Sequence, residues 1–333
     1  MADRGKVYNK IYNEAEWKLV NKENKTLLED FLIELKARKK KKGTIDQYFN
    51  DGRIILIYIL RELNNKSILD LNKKQFRNMS LWMIEELKVS NSRANRLMSM
   101  VRSMLDFAED DDDYEYDMNY AKKVKGLPKE EVREIHFITD EQVTKLREYL
   151  KEKEEYQKLV LLDLAYDSAG RRNELFQVNK EGLLDKNNTN IVIGKRGKKF
   201  PLLYFSHTKE SLQLWLTQRG DDNIESLWVT GKGNMKREVT YNTIYEWFVT
   251  MASYLEEIEG KEILFNAHSF RHSALENLGN GTHYVLKEIG KEKLELNQLK
   301  VYAHHSDIST TSSYLKNDEN DILAQTFGID IDG

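Results

Sequence analysis

Four short stretches in the second half of the chain carry residue types that nucleophilic, acid–base or metal chemistry needs. They are Gly170-Arg171-Arg172-Asn173-Glu174-Leu175, Gly194-Lys195-Arg196-Gly197-Lys198-Lys199, His268-Ser269-Phe270-Arg271-His272 and His304-His305-Ser306-Asp307-Ile308-Ser309-Thr310-Thr311-Ser312-Ser313-Tyr314. Taken singly, each has an ordinary reading. Arg and Glu three apart on a helix commonly form a surface or capping ion pair. A lysine-rich turn usually only contacts phosphate or water. His268 and His272 are four apart, as zinc ligands on a helix can be. The acidic partner of the HExxH pattern is missing, however, and Arg271 between them is a cation where a metal would sit, so no metal is expected. A tyrosine such as Tyr314 is ordinarily a core or rim aromatic.

Order and spacing change this reading. The series Arg171, Lys195, His268-x-x-Arg271, His305, Tyr314 resembles the tyrosine recombinase (phage integrase) family. Tyr314 follows His305 by nine residues, as in that family's Gly-His-Ser-x-Ile-x-Thr-Thr-x-x-Tyr segment. Here His304 stands in place of the glycine, a change expected to alter the start of the helix without touching a catalytic atom. Arg171-x-x-Glu174-Leu175 resembles the Arg-x-x-Glu-Leu box, with Gly170 one residue closer than usual, so Arg172 stays an alternative to Arg171. His268-x-x-Arg271-His272 is similar to the His-x-x-Arg-His box, and Lys195 stands where the family has its hairpin lysine, with Lys198 and Lys199 as rivals.

The resemblance implies a reaction. A phosphodiester repels nucleophiles, and Arg171 and Arg271 would neutralise its non-bridging oxygens with permanently charged, planar donor forks. His305 and His268 would donate to the same oxygens or accept the tyrosine proton. Tyr314, with an unperturbed pKa near ~10, would attack the phosphorus once that field activates it. Lys195 would protonate the departing 5′ oxygen. Glu174 is expected to orient Arg171, and His272 to support the site rather than touch DNA. No cofactor is implied.

These residues must be positioned by a largely helical chain. Only two prolines and 17 glycines occur among 333 residues, a poverty of breakers that favours long helices over sandwiches or barrels. There is no cysteine, hence no disulfide or thiolate chemistry. No apolar run approaches the roughly 20 residues of a membrane span, and no signal peptide opens the sequence, so a soluble intracellular protein is expected. The family resemblance implies a cytoplasmic protein of a prokaryotic host, acting on nucleoid DNA. The fold expected is mainly α with a small β-sheet: a helical core-binding (SAM-like) domain followed by a catalytic domain of the DNA breaking-rejoining type.

The net charge of −3 conceals unlike regions. Residues 1–108 hold 22 Lys and Arg against 14 Asp and Glu, whereas residues 109–119 hold seven acids and no base. The reading that follows places a polar lead-in at 1–24, a core-DNA-binding domain at 25–110, a linker at 111–136 and a catalytic domain with its tail at 137–333. Leu97, Met100, Val101, Met104, Leu105 and Ala108 make the clearest helical stripe. Thr44 with Gln47 suggests a capping box at the start of an earlier helix. Lys39, Lys40, Lys41, Lys42, Arg93, Arg96, Lys122 and Lys123 are expected to clamp DNA phosphates. Residues 279–296 fit no expectation. The function expected is site-specific recombination of double-stranded DNA through a 3′-phosphotyrosine by a homo-tetramer, for integration or excision of a mobile element, with an accessory directionality factor as a further partner. The alternatives are a chromosome- or plasmid-dimer resolvase, a type IB topoisomerase-like enzyme and an inactive DNA-binding regulator.

Overall fold

Leu27, Leu28, Phe31, Leu32 and Leu35 recur every three or four residues, and all are buried on one face of the helix Lys22–Ala37. They open the core of the first of two compact units, Met1–Arg133 and Glu134–Gly333, into which this computed structural model divides. It describes residues 8, 10–128, 137–263 and 265–304. The next helix, Lys42–Glu62, buries Ile54, Ile55, Ile57, Tyr58 and Ile59. Gly52 permits its close approach to the preceding helix, because a Cβ there would lie 2.6 Å from Leu28 Cδ1. Helix Lys73–Glu85 starts at an Asn72/Gln75 capping box. Helix Asn91–Asp110, capped by Ser90, buries Leu97, Met100, Val101, Met104, Leu105 and Ala108. Each such aliphatic side chain contributes about 1.5–3 kcal/mol on burial.

The first unit departs from the sequence reading at two places, while its polar start, open to a mobile lead-in or a short helix, holds the helix: Asn13 caps Glu14–Leu19, Ile11 and Val20 are buried, and Arg61 Nη2 pairs with Glu16 Oε2 at 2.6 Å. Few apolar letters were needed to dock it, so periodicity did not register. The helix expected to be capped at Thr44 begins two residues earlier without a side-chain cap, and Gln47 Nε2 donates instead to Asp51 Oδ1 at 2.8 Å. Residues 111–128, read as linker from their charge, return to the helices. Tyr116, Ala121 and Val124 are buried, Arg102 donates to the carbonyls of Ala121 and Val124, and Tyr114 OH donates to Asp30 at 2.6 Å. The acids face solvent while alternate apolar residues face the core.

In the second unit, Thr139 and Gln142 form the capping box of helix Asp140–Glu152. Helix Tyr156–Ser168 buries every residue from Leu159 on, so it runs through the middle of this unit. The short helix Arg172–Phe176 follows. Strands Asn188–Ile193 and Lys199–Leu203 pair antiparallel, with Val192 opposite Phe200 and Ile193 opposite Lys199. Arg196 and Gly197, at φ 61° and 78°, turn the chain between them. A second hairpin, Val229–Thr230 with Arg237–Glu238, was invisible in the sequence because two-residue strands show no alternation. Helices Ser206–Arg219, Tyr241–Glu259, Ala267–Asn280, Val285–Glu288 and Leu296–Tyr302 complete the described part. The fold is mainly helical with small sheets. The motif segment from His305 to Tyr314 lies outside the described residues.

The buried Asn24 ties the loop after helix Lys42–Glu62 to helix Lys22–Ala37. Its Nδ2 donates to Lys66 O at 2.8 Å in a part-buried bond, and its Oδ1 accepts from Ile68 N at 2.7 Å in a buried one. Asn24→Ala strands one buried donor and one acceptor, at about 1–3 kcal/mol each. Urea unfolding of the full chain should therefore show a loss of about 2–4 kcal/mol in the first unit. A loss under about 0.5 kcal/mol would mean that water replaces both bonds.

Candidate active site

The site begins where helix Tyr156–Ser168 stops. Ala169 adopts φ 46°, ψ 34°, a left-handed conformation that ends the helix. Gly170 comes next, and a Cβ there would lie 2.9 Å from Ser168 Oγ and 3.0 Å from Leu175 Cδ2, so any larger residue would have to displace those side chains. This turn presents Arg171 as the N-cap residue of helix Arg172–Phe176. The carboxylate of Glu174, 1% exposed, accepts from Arg171 N at 2.8 Å and from Arg171 Nη1 at 3.0 Å. Arg172, the alternative, is turned away: its guanidinium lies over the ring of Tyr241 at 4.0 Å. Arg171 is the arginine that shares Glu174 with Arg271.

Arg271, on helix Ala267–Asn280, is 1% exposed. Its Nη1 donates to Ala169 O, and its Nη2 to Ala303 O at 2.6 Å. Nη1 also stands 3.9 Å from Glu174 Oε2, so a single buried carboxylate is shared by two guanidinium groups from different helices. Asn266 caps the same helix by accepting from His268 N and Ser269 N. His268 Nε2 and His272 Nε2 are 3.2 Å apart, with His272 buried and His268 reaching solvent. Partial desolvation, and then the charges of Arg271 and Arg171, hold the His268 imidazolium below its ordinary range. No group of three or more His, Cys, Asp or Glu among the described residues is arranged to hold a metal ion.

The lysine hairpin abuts this cluster. A Cβ on Gly194 would lie 3.2 Å from Glu174 Oε1 and 2.7 Å from Phe200 Cε1. Lys195, Lys198 and Lys199 are all exposed on the turn. His304 stacks on Phe200, with ring centroids 3.6 Å apart. Burial above all, then the nearby cations Lys198, Arg271 and Arg171, lower its pKa to about 4. His305 and Tyr314 lie outside the described residues.

Residues 279–296 turn out to brace the site from behind. Tyr284 OH donates to Asp167 Oδ1 at 2.5 Å, and Thr208 Oγ1 donates to Asp167 Oδ2 at 2.6 Å. Tyr302 OH donates to Asp167 O. Burial pushes the Asp167 carboxyl up to about 7. His283 stacks on Tyr166 at 3.9 Å. Its Nδ1 accepts from Val285 N at 3.3 Å, which leaves Nε2 as the donor to Tyr166 O. Sequence reasoning missed these residues; their one signal was the concentration of Tyr, His and Thr in an unassigned segment.

Of the expected DNA contacts, Lys39, Lys40 and Lys41 are exposed between two helices, and Lys42 is exposed at the start of the second. Arg93 is instead held by the buried Asp51, at 2.5 and 3.1 Å, and Arg96 Nε lies 3.9 Å from the same carboxylate. Lys122 pairs with Asp106 and Glu109 at 2.6 and 3.1 Å, and Lys123 lies over the ring of Tyr120 at 5.0 Å.

The sequence model of the phage integrase family matches residues 136–321. The chain belongs to that family. The SPbeta prophage-derived recombinase-like protein YomM of Bacillus subtilis (strain 168) is 30% identical over 317 residues, covering 90% of this chain and 88% of that protein. Among solved structures, a lambda integrase (75-356) dimer bound to a COC' core site matches with a TM-score of 0.64 at 17% identity, over 87% of this chain and 94% of that one. The XerH site-specific recombinase bound to a palindromic difH substrate matches at 0.63 and 16%, over 88% and 82%. These two likenesses speak to the fold. Family membership makes this protein a site-specific tyrosine recombinase, a DNA strand-transfer enzyme.

Two predictions follow from the geometry. Glu174→Ala removes the carboxylate between two guanidinium groups and leaves Arg271 buried without it. Urea unfolding should show a loss of about 3–5 kcal/mol, and Glu174→Gln, which keeps the shape, a smaller loss. Equal stability of wild type and Glu174→Ala would show that the arginine pair needs no carboxylate.

His283, with its pKa lowered to about 3 chiefly by burial, gives a pH dependence. Its folded pKa lies below the unfolded value near ~6.5, so the unfolded chain takes up a proton that the folded chain refuses. Its contribution is fully present above about pH 6.5 and is lost as pH falls toward about 3. Asp167 acts in the opposite sense, since its raised pKa favours folding at lower pH, so the contribution of His283 is read as a difference. Between about pH 6.5 and 4, His283→Gln should show a shallower fall in unfolding free energy than wild type. Identical slopes would place the proton elsewhere.

Proposed function

We propose that this recombinase cleaves and rejoins double-stranded DNA through Tyr314, with Arg171 and Arg271 on the phosphate and Lys195 as general acid, in integration or excision of a mobile element. The observation that carries the site assignment is the pair of guanidinium groups fixed around Glu174, with Arg171 partly exposed and able to meet an anion.

The scissile phosphodiester carries one negative charge, and attack by the Tyr314 phenolate raises it to two in the transition state. Arg171 and Arg271 oppose that charge with planar forks already held in place, so little reorganisation is required as it develops. His268 and His305 are the neighbouring donors; His268 stays neutral near pH 7 and donates one proton without adding a third fixed cation. His272, 3.2 Å away, holds its ring. The Tyr314 oxygen forms a bond to phosphorus, the bond to the 5′ oxygen breaks, and Lys195 gives that oxygen a proton. The products are a 3′-phosphotyrosine and a free 5′ hydroxyl. Attack of another 5′ hydroxyl reverses the step on a new strand, with no cofactor consumed.

Several observations support the wider reading. The relative YomM is described as prophage-derived, which favours a mobile element. Lambda integrase has been seen as a dimer on a core site and as a tetramer on a Holliday junction, which favours a homo-tetramer on DNA here. No helix among the described residues is long and apolar enough to cross a membrane, consistent with work on cytoplasmic, nucleoid DNA. In the first unit, Lys39, Lys40, Lys41 and Lys42 are the best-placed phosphate contacts, because Arg93 and Lys122 already face acids.

The test is covalent capture on a pool of nicked duplexes of randomised sequence. Wild type should form detergent-stable protein–DNA adducts, and Tyr314→Phe none, while gel-shift affinity for the captured duplexes stays within about threefold. Adducts that persist in Tyr314→Phe would overturn the assignment. They would not be explained by Tyr284 or Tyr302, whose hydroxyls donate to Asp167 and whose pKa values burial raises far above the ordinary tyrosine range.

A further inference from the structure

His304 occupies a backbone conformation that disfavours any side chain. It sits at φ 53°, in the left-handed region where a Cβ is strained, just after helix Leu296–Tyr302. The ring of His304, held there, lies on Phe200, with centroids 3.6 Å apart and planes 22° apart. Phe200 is 6% exposed and lies on the second strand of the lysine hairpin. It also closes on Gly194, where a Cβ would come within 2.7 Å of Cε1 and 2.9 Å of Cζ. Gly194 N donates to Lys198 O at 2.8 Å, which closes the turn bearing Lys195 and Lys198. The same glycine abuts Glu174 Oε1. On the other side, His304 follows Ala303, whose carbonyl takes the proton of Arg271 Nη2.

We infer that His304 is a positioning residue: its ring pins Phe200, and through Phe200 the lysine hairpin, against the Arg171–Glu174–Arg271 cluster. The backbone of one segment thereby registers the arginine pair and the lysine turn to each other. The ring serves by stacking, not by charge. Burial and three cations keep it neutral near pH 7, which suits a ring packed flat on an aromatic beside lysines. This rests on the reading of the hairpin lysine as general acid.

The test uses the full-length protein, duplexes captured by wild type, and matched substrates with oxygen or sulfur at the bridging 5′ position. Sulfur departs as a thiolate and needs no acid. His304→Ala and His304→Gly remove the stacking ring, His304→Gly also relieving the backbone, whereas His304→Phe keeps the stack and discards the ring nitrogens. We expect His304→Ala and His304→Gly to cleave the oxygen substrate at least about tenfold more slowly, within the ~10²–10⁴-fold that a general acid contributes. On the sulfur substrate both should stay within about threefold of wild type, and His304→Phe should resemble wild type on both. Amide exchange at Gly194 should accelerate in His304→Ala and His304→Gly and remain slow in His304→Phe.

Unchanged exchange at Gly194 in His304→Gly would overturn the pinning outright. So would equal slowing on both substrates, or a His304→Phe protein as slow as His304→Ala, which would show that a ring nitrogen acts on the phosphate. Lys195→Ala, Lys198→Ala and Lys199→Ala, run on the same substrate pair, isolate the other reading. If none is rescued by sulfur, the hairpin supplies no acid, and the exchange measurement alone then decides whether His304 pins it.

Discussion

A guanidinium group almost wholly removed from water is the constraint on which the second unit depends. Arg271 is 1% exposed, and a buried cation is tolerated only where its donors meet acceptors and its charge meets an opposite one. Two of its acceptors are carbonyls that helices leave unsatisfied at their C-termini, Ala169 O after helix Tyr156–Ser168 and Ala303 O after helix Leu296–Tyr302. Both helix ends also carry the partial negative charge of the helix dipole. Glu174 supplies the full opposite charge, and because it simultaneously binds Arg171 it fixes the second cation relative to the first. Three separate helices are thereby required to end or begin at one point.

That requirement explains local features that otherwise look unfavourable. Ala169 and His304, one at and one just past these two helix ends, are both non-glycine residues with positive φ. Ala169 O itself accepts from Arg271, and His304 directly follows Ala303, whose carbonyl accepts from it too. Gly170 and Gly194 lack side chains because Leu175, Phe200 and Glu174 fill the space. Behind them the core accepts two carboxyls one turn apart on the central helix. Asp163 is met by Arg147 Nε at 2.6 Å, whereas Asp167 has hydroxyl and amide donors and no cation, and burial raises it to about 7. The Tyr284 and Tyr302 hydroxyls on Asp167 tie the later segments to the end of that helix.

What could be read from the sequence follows from the same physics. Helix Asn91–Asp110 was legible from strict 3.6-residue periodicity. Arg171 with Glu174 was legible because i, i+3 spacing lets one helix bring them together. Arg271 could be named but not its acceptors, since backbone carbonyls have no sequence signature. His304 and Phe200 are distant in sequence and were joined only by tertiary folding. The basic letters of the first unit misled in a different way. Arg93 and Lys122 counted as positive charge, yet Asp51, Asp106 and Glu109 stand against them, whereas Lys39, Lys40, Lys41 and Lys42 are exposed. Charge counting measures composition, while phosphate binding depends on which charges lack an acid beside them.

The electrostatics of the cluster bear on how such a site would favour a transition state over a bound substrate. Arg171, Arg271 and Glu174 sum to one positive charge, and the imidazoles of His268 and His304 are held toward neutrality by burial and by these same cations. On the proposed reading, that single charge balances the one negative charge of a resting phosphodiester. A second negative charge appears only as the tyrosine oxygen attacks. Because the forks are rigidly held and water is partly excluded, this added charge interacts more strongly than the first, so the gain is concentrated in the transition state. A site with several more fixed cations would instead tighten the resting complex and leave the step no faster. The exposed lysine turn supplies positive charge that is not fixed in the cluster, and its closeness to Glu174 through Gly194 sets where that charge can arrive. The buried carboxylate therefore does two things at once: it permits Arg271 to be buried, and it keeps the permanent charge of the site low enough for the reaction to use the rest.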